Sequence, residues 1–297
     1  MFYVEKNSAM GITDAEMRAA LVAHKGDVVM AARCFKSKKK KKRATRSRGR
    51  AGAPFQGVSS LIAGPERDYY EDGPLKRQTW YDELGRFHRE DGPAIRYLFR
   101  DGTLEREDYY IEGRLHREDG PALREWFSNG GLKWESYYIN GNLHNFPGPA
   151  MRTWFDNGQL RAEDYYFEGE HHRIDGPAFL AWYRTGRLAQ EGYYENDERH
   201  NPEGPAILEW YRDGTMHRLG YWVDGNPHRI GGPALMEWYP NGKRESVKYY
   251  VNGVLDNPSG YAVRVWLPNG ALAAREYRIG GVLMTDREFE DSNDQWG

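Results

Sequence analysis

Residues 120–147 read Gly-Pro-Ala-Leu-Arg-Glu-Trp-Phe-Ser-Asn-Gly-Gly-Leu-Lys-Trp-Glu-Ser-Tyr-Tyr-Ile-Asn-Gly-Asn-Leu-His-Asn-Phe-Pro. This stretch decides the fold, because nearly every landmark in it returns 28 residues later. Gly-Pro-Ala begins at Gly92, Gly120, Gly148, Gly176, Gly204 and Gly232; Gly64-Pro65 and Gly260-Tyr261-Ala262 extend the ladder at its two ends. Trp126, Trp154, Trp182, Trp210, Trp238 and Trp266 keep the same step, as do His88, His116, His144, His172, His200 and His228. A Tyr pair recurs at Tyr109-Tyr110, Tyr137-Tyr138, Tyr165-Tyr166, Tyr193-Tyr194 and Tyr249-Tyr250, with Tyr221-Trp222 as a variant. A fixed period of this length marks stacked supersecondary units, each burying its apolar face against its neighbours.

Each unit reads as a β-hairpin. Ala122 to Phe127 is a short strand rich in aromatics. Asn129-Gly130 is a two-residue hairpin signal that calls for positive φ at both turn positions. Leu132 to Ile139 is the return strand, and Asn140-Gly141 a second turn. Adjacent strand residues point to opposite faces, so Trp126-Phe127 and Tyr137-Tyr138 place one ring on each side of the sheet. Two strands per unit at ~4.8 Å predict ~10 Å per repeat and a ribbon of ~75–80 Å. The first unit departs from the pattern, since Trp80-Tyr81 stands one residue early; the last carries Tyr261 for Pro and no His. Both departures fit end caps.

The expected fold is mainly β: an elongated single-layer antiparallel meander of eight 28-residue hairpin repeats over 64–287. A small all-α head (1–36), a disordered basic linker (37–63) and a C-terminal tail (288–297) complete the domain plan.

Working outward, the formal net charge of -2 hides a division. Residues 1–50 hold 14 Lys/Arg and 4 Asp/Glu; the remainder holds 28 and 40. All 10 Trp lie in the acidic part. The single cysteine, Cys34, excludes an intramolecular disulfide framework and a Cys-rich zinc module. No long apolar run predicts a membrane span, and no basic-then-apolar start predicts a secretory signal. An intracellular setting, cytoplasmic or nuclear, is the default expectation.

The histidine column invites a metal reading. Ligands of one zinc ion lie within a few ångströms of each other, whereas column members two strands apart are ~10 Å distant. The expectation is structural: hydrogen bonding within the connector to Asp91, Asp119 or Asp175. His171-His172 is the one local pair and has no matching carboxylate or Cys spacing. Glu107, Glu135, Glu163 and Glu191 recur at the same step and read as a solvated ladder, not as general acids. A catalytic constellation breaks symmetry, because one pocket needs different residues. With no Walker loop and no Gly-x-Ser-x-Gly, the reading names no catalytic residue, metal or cofactor.

Tyr137-Tyr138-Ile139-Asn140-Gly141 and Trp154-Phe155-Asp156-Asn157-Gly158 resemble the MORN family of repeats. The connector Leu115 to Ala122 looks like the MORN-variant repeats of some bacterial antitoxin proteins and, more closely, of large amoebal DNA viruses. The resemblance covers roughly residues 64–287. It implies scaffolding, dimerisation and membrane-adjacent roles, not chemistry, and it would place the protein in a host cell or virion.

In the head, Thr13 with Glu16 forms a capping box before Asp14 to Ala23, and Gly26 ends that helix. Asp27 caps a second, Val28 to Phe35. Met10-Gly11-Ile12-Thr13, Leu21, Asp27-Val28, Ala31 and Phe35 resemble a ubiquitin-associated (UBA) domain, which implies ubiquitin contact through Met10, Gly11, Ile12 and Phe35. Lys36 to Arg50 carries ten Lys/Arg in fifteen residues, and no fold can neutralise that internally. Lys38, Lys39, Lys40, Lys41, Lys42, Arg43, Arg46, Arg48 and Arg50 could serve DNA or RNA phosphates, nuclear import or an anionic membrane.

The leading expectation is a non-enzymatic interaction scaffold that binds proteins on its β-repeat surface and carries a nucleic-acid- or nucleus-directed arm. The competitors are an antitoxin-like or ubiquitin-pathway adaptor that sequesters a partner, and a membrane-surface scaffold.

Overall fold

In the computed structural model the described residues are 64–294. They form a 17-stranded meander in which strands adjacent in the main sheet follow one another along the chain, from Glu66–Tyr69 to Val282–Met284. Each interior repeat supplies a four-residue outgoing strand and a five-residue return strand, as in Leu123–Trp126 and Leu132–Ser136. The return strand then pairs antiparallel with the next repeat's outgoing strand, Met151–Trp154.

The return strand is shorter than the sequence reading expects. It stops at Ser136, and Tyr138–Ile139 pairs instead with Asn142–Leu143 in a separate two-stranded hairpin. Six such small hairpins occur, one per interior repeat. The Tyr137 N–H still donates to the Ala150 carbonyl (2.8 Å), one step on in the register of Ser136 with Met151, and the chain leaves the main sheet after it. At the C-terminal end no further Gly-Pro-Ala follows. There the return strand runs on as Leu272–Ile279, and Val282–Met284 joins the main sheet.

The small hairpins are joined to one another in a row. Gly141 N–H donates to Leu115 O (2.8 Å) and Arg117 N–H to Tyr138 O (3.1 Å), and equivalent bonds recur along the array. The expected single sheet is therefore accompanied by a second row of hydrogen-bonded hairpins. In two repeats the second ring of the aromatic pair is seen to fold back over its own strand. A Cβ on Gly192 would lie 2.8 Å from the Tyr194 ring, and one on Gly220 only 1.8 Å from the Trp222 ring. The largest ring of the column thus sits over a residue with no side chain. Ala206, Ile207 and Trp222 form a buried cluster there.

The two turns exchange the roles assigned from sequence. In Phe127-Ser128-Asn129-Gly130 only Gly130 has positive φ (82°), so this is a type I turn with a glycine bulge, tied by Gly131 N–H to Asn129 Oδ1 (2.9 Å). The mirror-image turn is the second one, where Asn140 (53°) and Gly141 (88°) are both left-handed. Asn tolerates that region through its short polar side chain, and Glu112 and Glu168 adopt it too.

The residues read as a C-terminal tail begin inside a helix, Asp286–Asp294. Thr285 and Glu288 form its capping box: Glu288 N–H donates to Thr285 Oγ1 (3.3 Å) and Thr285 N–H to Glu288 Oε2 (2.8 Å). Phe289 is buried and stacks on Tyr277 (3.9 Å), which stacks on Tyr261 (4.0 Å). The helix covers the last hairpin in place of a further repeat. At the other end Trp80 takes the slot of Tyr109, its N–H donating to Ala94 O (2.8 Å).

Candidate functional site

The connector between repeats gathers most of the recurring polar residues, and each column has a defined partner. The Nδ1 atoms of His88, His116, His144, His172, His200 and His228 accept hydrogen bonds from the backbone N–H of Glu112, Asn140, Glu168, Asn196, Asp224 and Asn252, at 3.1–3.4 Å. Every donor is a positive-φ turn residue of the next small hairpin. In the last register Asp256 Oδ1 takes the equivalent bond from Gly280 N–H (2.9 Å). Histidine is here a staple from one repeat to the next, and a carboxylate oxygen does the same work.

This corrects the partners expected for histidine. Asp91, Asp119 and Asp175 instead accept from the Nε of Arg89, Arg117 and Arg173 at 2.8–3.0 Å. Those bonds hold the Asp91 and Asp119 carboxyls below their ordinary range. The same guanidinium groups stack on Trp80, Tyr109 and Tyr165 at 4.0–4.2 Å. Their Nη1 atoms lie 3.2–3.5 Å from the carbonyls of Pro93, Pro121 and Pro177. Asn145, Asn201 and Asn257 stand in the same column and reach the equivalent carbonyl through Nδ2 at 2.7–2.9 Å.

Gly-Pro-Ala follows from this geometry. A Cβ on Gly92 would lie 3.1 Å from the Arg89 guanidinium carbon. The proline supplies the carbonyl acceptor. The alanines at 94, 122, 150, 178, 206, 234 and 262 are completely buried, which leaves no room for a larger side chain.

The glutamate column is not solvated. Cross-strand register alternates Arg96, Glu107, Arg124, Glu135 and Arg152 along one row of the sheet. Arg96 Nε meets Glu107 at 3.1 Å, and Arg152 bridges Glu163 (2.9 Å) and Glu135 (3.3 Å). Glu135 is only 7 % exposed, so it depends on these cations. The row then turns apolar through Leu208, Leu219, Met236 and Val247. Glu191 lies between Leu180 and Leu208, and burial pushes its carboxyl up.

His171 and His172 take separate partners. His171 Nε2 faces Asp164 (3.3 Å) with its ring against Tyr166, while His172 bonds Asn196. Burial pushes the His144 imidazole down to about 4. The six tryptophans of the 28-residue column are all half-buried. No helix among the described residues is long and apolar enough to cross a membrane.

Met10, Gly11, Ile12 and Phe35 of the head, and Lys38 to Arg50 of the linker, lie outside the described residues. The Arg/Asn column and the Asp256 replacement keep the 28-residue step in the sequence, but nothing in that step names their bonding partners. No protein-family model matches the chain, and no curated protein matches it.

Proposed function

We propose that the chain is a non-enzymatic interaction scaffold of MORN type, whose repeat array presents a rigid aromatic surface to a protein partner while the basic arm engages nucleic acid. One observation carries the scaffold reading: the recurring polar side chains are spent on the array itself, His on the next repeat's turn and Arg, Asn and Asp within the connector. Six tryptophans at one step are half-buried, so part of each ring is left accessible to a partner. Tryptophan is the residue type most enriched among energetic anchors of protein interfaces, because it brings large area at low entropy cost.

The arm reading rests on composition. Ten Lys/Arg in residues 36–50 release counterions on meeting phosphates, with no sequence code required. The test is titration of random-sequence duplex DNA and RNA with the full chain and with a full-length variant in which Lys38, Lys39, Lys40, Lys41, Lys42 and Arg43 are replaced by Gln. The native chain binds with an affinity that falls on a log-log salt plot by about 0.9 per phosphate neutralised on duplex DNA. The variant loses most of that slope. Equal affinities, or a native slope of zero, sink the nucleic-acid assignment.

A further inference from the structure

Two guanidinium groups lose their usual carboxylates at the C-terminal end of the array, and both line one cleft. Arg229 belongs to the connector column and stacks on Tyr221 at 4.0 Å, as its counterparts stack on their rings. Its Nη1 bonds Pro233 O at 3.3 Å. Arg89, Arg117 and Arg173 each have an Asp two residues on; Arg229 has Gly231. Arg264 belongs to the cross-strand row. Arg96 and Arg152 pair there with glutamates, but Arg264 stands between Val247 and Arg275. Its Nη2 reaches the Tyr249 hydroxyl at 3.4 Å, and its Nε is buried without a partner. Neither cation has an ion pair among the described residues, whereas Arg275 has Asp286 at 3.6 Å.

The cleft that these side chains share has a volume of about 680 Å³ and is also lined by Tyr249, Asn257 and Ser259. Its one lining carboxylate, Asp256, is held by Gly280 N–H at 2.9 Å. Two half-buried guanidinium groups facing one space repel each other, and an anion placed between them relieves that repulsion and fills their forked donors. Repetition makes the departure informative. Elsewhere the array neutralises the same two columns internally, and only here are both neutralising residues replaced, at adjoining positions.

We infer that this cleft binds a small oxyanion of the phosphate class, a phosphate group or phosphomonoester, through Arg229 and Arg264. A dianion suits two cations better than a single carboxylate does, and tyrosine and serine hydroxyls supply further donors. The site is independent of the basic arm and of the scaffold reading.

The test is isothermal titration of the full chain with inorganic phosphate, with acetate as the carboxylate control. Arg229→Gln and Arg264→Gln each weaken phosphate binding about tenfold or more, the worth of one charge-assisted hydrogen bond. Arg117→Gln, three registers or more from the cleft and paired with Asp119, leaves it unchanged. Arg275→Glu restores the carboxylate that Arg264 lacks and abolishes binding. If the glutamine variants fail to fold, Arg264→Lys keeps the charge, loses the fork and still weakens binding. Phosphate affinity equal in native and cleft variants overturns the proposal, as does absence of binding by the native chain. Acetate binding as tight as phosphate overturns the phosphate assignment.

Discussion

His144 shows what a recurring residue is for. Its Nδ1 must stay unprotonated to accept the Glu168 N–H, since a proton there would set two donors against each other. Burial lowers its pKa from 6.5 to about 4. The unfolded chain therefore takes up the proton first as pH falls. The stability this residue contributes is complete above pH 6.5, is lost progressively between there and pH 4, and then levels off. The loss is up to about 3 kcal/mol. Denaturant midpoints across that range should fall for the native chain and fall less for His144→Asn, whose amide oxygen can accept the same bond. A native midpoint flat from pH 7 to 4 would contradict the assignment. His200 differs in geometry, because its Nδ1 also lies 2.9 Å from Asp224 Oδ1.

Gly220 is the second residue-scale case. Its missing side chain is filled by the Trp222 ring, so Gly220→Ala forces that ring out of place. Overpacking of this kind costs about 1–3 kcal/mol. The cost should shrink in a Trp222→Leu background, and a double-mutant cycle measures the coupling. Additive effects would mean that ring and glycine do not meet. Ser136 and Asp164 occupy the equivalent position in the repeats that carry Tyr138 and Tyr166.

At the scale of elements, the outgoing strand and the second turn were readable, and the break in the return strand was not. Leu132 to Glu135 alternates apolar with polar and Ser136 to Ile139 does not, yet the aromatic and β-branched residues keep strand propensity as far as Ile139. Interior return strands pair on their far side with the next repeat's outgoing strand, so where they stop is decided between units. The last repeat lacks that contact and keeps its strand. The terminal helix had a visible signal in Thr285-Asp286-Arg287-Glu288, the same capping pattern that Thr13 and Glu16 show in the head. Thr285→Ala removes the cap and should cost about 1 kcal/mol. Amide exchange at residues 286–291 reports it directly: protection there falls while strands in the middle of the array keep theirs. Equal loss throughout would mean that the helix and the array open together.

The described repeat array is quasi-one-dimensional in its bonding. The staples described here run from one repeat to the next, so removing one full period leaves every column in register. Excision of residues 151–178 places Phe179 where Met151 stood, against Ser136, and returns the same type of next-repeat hairpin to His144. The shortened protein should fold, with the far-UV spectrum of the native chain and a proportionately lower denaturant m-value. Removal of 27 residues flips every side chain of the following strand to the other face and should give no folded product. If both deletions behave alike, the array is not built from equivalent units.

The sequence by itself determined the repeat, its period and the β-hairpin character of each unit. These follow from local rules: strand alternation, turn chemistry and recurrence. It also determined the separation of a basic arm from an acidic array, since charge is additive along a chain. Only the tertiary structure decided what each column bonds to. Histidine reaches a backbone N–H 24 residues ahead, arginine takes the nearby Asp, and glutamate is buried by arginines on neighbouring strands. Such pairings depend on which atoms the stacked repeats bring within about 3 Å, the length of a hydrogen bond, and a one-dimensional pattern carries recurrence without carrying distance.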